Sequence, residues 1–163
     1  MRGQTEILRI RKQAVLVDLA LAGSEARRVE VFLAEHEARE FRRHHVIDLL
    51  QSMRSFLPAR DAETGLWELF NKDVLMWIRV PLAPLGGEET ESEDDELFDF
   101  RKSVRVDLMG GSPLQGELLY SAPEESTRTA DYLSMEGRFF HLWQEGHLYL
   151  VNKSFVQRIV ELA

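Results

Sequence analysis

The amino-acid sequence predicts a mainly β protein made of two tandem small five-stranded β-barrels with short helical turns. Three observations carry that prediction. The chain repeats itself, its branched apolar residues alternate with polar ones at a period of two, and Gly-containing turns fall between the alternating runs. At 163 residues, one or two small domains fit the length.

The repeat has four anchors in the same order. Ile10-Arg11-Lys12-Gln13 followed by Val15 to Leu19 matches Phe100-Arg101-Lys102-Ser103 followed by Val104 to Leu108, at offsets of 90 and 89. Asp48-Leu49-Leu50 before Phe56 matches Asp131-Tyr132-Leu133 before Phe139, at an offset of 83. Leu69-Phe70-Asn71-Lys72 matches Leu150-Val151-Asn152-Lys153, at an offset of 81. Branched apolar runs then follow, Val74 to Val80 and Phe155 to Leu162. The drifting offset means that the first copy has longer loops. A single β domain with coincidentally similar strands is the alternative. The expected units are residues 7–81 and 97–163, with an acidic flexible linker at 82–96.

The first element spans Ile7 to Leu21, and its counterpart Leu97 to Met109. Val104, Val106 and Leu108 alternate with Arg105, Asp107 and Met109, as a strand with one buried face requires. Ala22-Gly23-Ser24-Glu25 and Gly110-Gly111-Ser112-Pro113 supply hairpin turns. Val29 to Leu33 and Gly116 to Tyr120 form the next strands. The Glu, Ala and Arg content of Ala26 to Gln51 favours helix. Pro123 and three hydroxyl residues in the matching segment oppose a long one, so only a helical turn near Val46 to Gln51 is expected. Phe56 to Ala59 should pair with Leu66 to Phe70 across Asp61 to Gly65. Phe139 to Trp143 should pair with His147 to Val151 across Gln144 to Gly146. The apolar runs after the Asn-Lys pairs then close each unit, which removes exposed edges. Pro84, Gly86 and Gly87 mark the linker.

Composition narrows the function. The chain has no Cys, which removes disulfides, thiolate metal sites and cysteine nucleophiles. The N-terminus has no apolar run of signal-peptide length, and no stretch approaches the roughly 20 residues of a bilayer span. A cytoplasmic location without membrane contact is therefore expected. The net charge of −8 is concentrated in Glu88, Glu89, Glu91, Glu93, Asp94, Asp95 and Glu96. The remainder is nearly neutral, so nucleic-acid binding is not expected.

No catalytic, metal or cofactor motif stands out. His44-His45 with Asp48 could share an ion only on a helix, where His44 and Asp48 face each other at i, i+4; on a strand the two histidines point apart. Asp18 and Asp107 occupy matching positions and read as paired carboxylates for acid–base work, as groups hydrogen-bonded near a turn, or as residues on a solvated strand face. The Gly-Gly pairs at 86–87 and 110–111 lack phosphate-loop spacing. Asn71-Lys72 and Asn152-Lys153 read as tight turns in which Asn tolerates left-handed geometry. The functional reading makes them ligand- or partner-contacting corners, joined by Arg128 and Asp131, with Arg43 nearby. Phe98 and Phe100, directly after the acidic run, form a candidate docking handle for a partner.

Arg128-Thr129-Ala130-Asp131-Tyr132-Leu133-Ser134, then Arg138-Phe139-Phe140, then Val151-Asn152-Lys153, resembles a group of small uncharacterised bacterial β-rich proteins. Their pattern runs Arg-x-x-Asp-x-Leu, Phe, Val-Asn-Lys; Ser134 stands where the group has Asn. The resemblance covers most of residues 100–162 and less of 7–80, and implies no activity. By fold analogy the strand order and the first hairpin are similar to SH3-like or Sm-like small barrels. The expected function is a non-enzymatic protein-interaction adaptor or regulator, with a protein partner and a possible homo-oligomer. The alternative is a small-ligand sensor, for a nucleotide or second messenger, using Arg128, Lys153 and the matching Asn71-Lys72 corner of the first copy.

Overall fold

Alternation of branched residues produces strands in both halves of the chain. The structure, a computed structural model, describes residues 12–34, 42–82, 100–121, 129–134 and 137–162. The first half holds β1 (Lys12–Leu21), β2 (Arg27–Ala34), helix α1 (Arg42–Gln51), β3 (Phe56–Asp61), β4 (Trp67–Asn71) and β5 (Leu75–Pro81). The second holds β6 (Phe100–Leu108), β7 (Leu114–Tyr120), helix α2 (Thr129–Leu133), β8 (Phe139–Gln144), β9 (His147–Asn152) and β10 (Val156–Glu161). A single 3-10 turn precedes β5 and another precedes β10, at Lys72–Val74 and Lys153–Phe155. No helix among the described residues is long and apolar enough to cross a membrane.

The fold is mainly β, as expected, but the strands form one antiparallel ten-stranded sheet in the order β10-β6-β7-β8-β9-β5-β1-β2-β3-β4. Within each half the order is the same, with the last strand beside the first. Neither half closes by strand pairing among the described residues. The reason is the joint: β5 pairs along its length with β9 of the other half, from Trp77↔Val151 to Pro81↔His147. The strand that would close the first half is spent on joining the second. Among the described residues the sheet therefore ends in two edges without a further strand, β4 and β10.

Each hairpin forms as the turn chemistry demands. Gly23 and Gly110 both adopt positive φ, 75° and 76°, between the first two strands of their halves. The register of β1 with β5 shifts at Ala20/Leu21, and that of β10 with β6 at Val156/Arg158. Such irregularities bend a strand at matching places in both halves. The β2–β3 and β7–β8 pairings are the shortest, two residue pairs and one.

The helical segment departs from expectation. α1 spans ten residues rather than a single turn. Val46, Ile47 and Leu50 share one face and are buried, so packing supports a helix that the matching segment in the second half could not predict. α2 is short, five residues. Residues 7–11, 83–99 and 122–128 lie outside the described residues, and with them the start of the first predicted strand and the acidic run. Leu82, placed at the start of the predicted linker, instead belongs to the folded part: it is buried and its N–H donates to Gly146 O at 2.9 Å.

The described residues form two apolar clusters. One gathers Val15, Val17, Leu19, Val29, Val31 and Leu33 with α1, and takes in Phe139, Trp143, Leu148 and Leu150 from the second half. The other gathers Val104, Val106, Leu108, Leu118, Phe140 and Leu142, with Trp77 of β5 against it. Residues on alternate faces of β9 serve both: Leu148 and Leu150 face the first cluster, Tyr149 and Val151 the second.

Candidate functional site

The two Asn-Lys corners are built alike. The side-chain oxygen of Asn71 accepts from Asp73 N at 2.9 Å, and that of Asn152 from Ser154 N at 3.0 Å. Each thus caps the 3-10 turn that follows. Both are extended, with φ of −70° and −73°. The left-handed geometry expected of them is absent; among the described residues only glycines have positive φ. A side-chain cap, rather than unusual backbone, is what these asparagines supply.

Their surroundings differ. Asn152 is fully buried at the joint, where its Nδ2 donates across to Leu75 O at 2.9 Å and Lys72 O at 3.3 Å. Asn71 lies at the free β4 edge and is half-exposed. Around Asn152, Asp73 forms an ion pair with Arg138 at 2.9 Å. Arg79 donates to Tyr149 Oη at 3.3 Å, and Trp77 meets the Tyr149 ring edge-on at 5.0 Å.

Lys72 is turned inward, 2 % exposed. Its ammonium donates to Leu49 O and, at 2.9 Å, to Ser52 Oγ. Leu49 belongs to the last turn of α1, whose carbonyls have no partner within the helix. Lys72 therefore ties that helix end to the β4–β5 corner. Burial pushes its pKa down, helped by the nearby charges of Arg138 and Arg54. Lys153 is half-buried, and burial lowers its pKa too.

Of the remaining predicted site residues, Asp131 and Phe100 are among those the structure describes. Asp131 is exposed on α2. Arg128 and Phe98 lie outside the described residues, as do the side chains of Arg43, His44 and His45. Phe100 stacks on Tyr120 at 5.2 Å, and Tyr120 on Tyr132 at 4.7 Å, so Phe100 is part of the second core's margin. No group of three or more His, Asp or Glu among the described residues could hold a metal ion.

Asp18 and Asp107 strap strands together. Asp18 accepts from Arg79 Nη2 at 2.5 Å and Arg28 Nε at 3.1 Å, linking β1 to β5 and β2. Burial pushes the Asp18 carboxyl up, but Arg79 and Arg28 together hold it below its ordinary value. Asp107 accepts from Arg158 Nε at 2.5 Å and Arg105 Nε at 3.1 Å, and these guanidiniums lower it likewise. An open cavity of about 600 Å³ lies on β6–β8, bordered by Arg101, Glu117 and Trp143. It includes none of the predicted site residues.

One feature escaped the sequence reading. On β3 and β4 a row of large apolar side chains faces solvent: Phe56 is 50 % exposed, Trp67 63 % and Leu69 69 %. Their counterparts in the second half, by the repeat offsets, are Phe139, Leu148 and Leu150, which are 4 %, 0 % and 0 % exposed. Trp67 rests on Phe32 with ring centroids at 4.9 Å, and the Arg60 guanidinium sits 5.8 Å from the Trp67 ring. The sequence signal was present in the repeat itself, in matched apolar positions, but only the strand order tells which member is covered.

Comparison with protein-family models, with curated proteins and with solved structures finds no match to this chain.

Proposed function

We propose that the chain is a non-enzymatic protein-interaction adaptor built from a duplicated small-barrel unit, and that it engages polypeptide by strand addition at the open edge of its sheet. The observation that carries this reading is the exposed apolar row Phe56, Trp67 and Leu69 beside a free β4 edge. Free edges present unpaired N–H and C=O groups to any extended chain, and soluble proteins usually blunt them with charge, Pro or cover. β4 has one charged residue, Glu68, between Trp67 and Leu69. Main-chain pairing supplies affinity in such binding, and alternate side chains supply specificity. The matching strand orders of the two halves support an SH3-like or Sm-like unit used twice.

The test is a photo-crosslinking residue at position 67, in cells that naturally make the protein, with position 63 at the β3–β4 turn as the control. An adduct to a polypeptide at 67 and none at 63 is expected. No polypeptide adduct at 67 would remove the adaptor reading.

A further inference from the structure

We infer that the polypeptide received by the β4 edge is β10 of a second copy of this chain, so that copies associate head to tail. This rests on the strand-addition reading and names its partner. The argument is the joint already inside the molecule. There, the fourth strand of one half (β9) pairs antiparallel with the fifth strand of the other (β5). Among the described residues the two edges left over are again a fourth strand, β4, and a fifth strand, β10. A second copy placed by the same operation pairs them.

The side chains support the same operation. Phe139, Leu148 and Leu150 are buried because they enter the other half's core. Phe56, Trp67 and Leu69 are the counterparts left exposed, and the core they would enter is that of the second half. That core is incomplete on the β10 side: Val156 and Ile159 are only partly buried, whereas Leu75 and Ile78 at the matching places are 0 % exposed. The register follows from the internal one. Ile78 opposite Leu150 becomes Ile159 opposite Leu69, and Trp77 opposite Val151 becomes Arg158 opposite Phe70.

The buried asparagine has its counterpart as well. Asn152 donates to Lys72 O and Leu75 O across the internal joint. Asn71 is placed to donate to Lys153 O and Val156 O of the next copy. The polar contacts change in kind. The Trp77–Tyr149 contact is replaced by Arg158 and Glu68, which are of opposite charge. The Asp73–Arg138 ion pair is replaced by Ser154 and Ser55. Val80 opposite Leu148 becomes Glu161 opposite Trp67, so this joint is less apolar than the internal one and reversible. A head-to-tail contact of this kind gives a closed ring or an open filament.

The experiment uses the intact chain. Light scattering after size exclusion should give a mass above one chain. Leu69→Lys, at a position exposed in the single chain, should reduce it to one chain while keeping the far-ultraviolet circular dichroism spectrum. The absence of Cys allows the register to be read directly. An oxidised mixture of the Leu69→Cys and Ile159→Cys variants should form a 69–159 disulfide, since opposed residues of antiparallel strands come within disulfide reach. The mixture of Leu69→Cys with Gln157→Cys, two residues out of register, should form far less. A single-chain mass at every concentration, or equal linkage in both mixtures, overturns the inference. A monomer that still gives a position-67 adduct to a different protein overturns it and leaves the adaptor reading standing; a monomer without any adduct removes both.

Discussion

Asn71 and Asn152 close the same turn, yet they are energetically unlike. Asn71 satisfies one backbone N–H, that of Asp73. Asn152 satisfies one and also covers two carbonyls of the other half while fully buried. Truncation at a cap costs about 1 kcal/mol. Lys72 O keeps the Leu75 N–H as a donor, but taking the Asn152 donor from the buried Leu75 O adds a desolvation penalty of about 1–3 kcal/mol. Asn152→Ala should therefore lower the urea midpoint clearly more than Asn71→Ala in a dissociated chain; equal losses would mean that the joint contacts contribute nothing. The pairing of Asn with Lys was legible in the sequence. The burial of one pair member and exposure of the other was not, because it depends on which strand lies alongside.

At the scale of elements, the strands were legible and their seams were not. Period-two alternation marks Val104, Val106 and Leu108 as one face whatever lies across from it. The β7–β8 seam depends instead on a missing side chain. A Cβ at Gly116 would lie 2.5 Å from the Trp143 carbonyl oxygen and 2.9 Å from Leu142 Cγ. The backbone oxygen cannot move without parting the strands, which pair there only through Glu117↔Trp143. Gly116→Ala should cost about 1–3 kcal/mol, as overpacking does. Urea unfolding checks the cost, and faster amide exchange in β8 than in β1 checks its location. α1 shows the opposite failure. Its propensity for helix was visible, but the second half's Pro and hydroxyl residues argued against it. The burial of Val46, Ile47 and Leu50, and the Lys72 contact to its last turn, decide the matter.

Across the whole molecule, the two halves share a core. Phe139, Trp143, Leu148 and Leu150 pack into the cluster built on β1, β2 and α1. Neither half can lose its structure without exposing apolar surface of the other. The chain should therefore unfold in one calorimetric transition, with calorimetric and van't Hoff enthalpies equal. Two resolved transitions, one for each half, would contradict the shared core. Two tandem barrels without a shared core would give those two.

The sequence by itself determined that the chain is mainly β, that its two halves carry the same anchors in the same order, and where most hairpins turn. These are local properties: side-chain alternation, glycine at positive φ, and an Asn cap act over a few residues. The tertiary structure alone decided that the strands form one open sheet, that β5 joins β9, and that β4 and β10 are its edges among the described residues. Side chains mark an edge only weakly, through charge or Pro, since any backbone that keeps its N–H can pair on both sides. Which edge remains free is settled only when the whole sheet is assembled, and the exposed row on β3 and β4 becomes meaningful at that point.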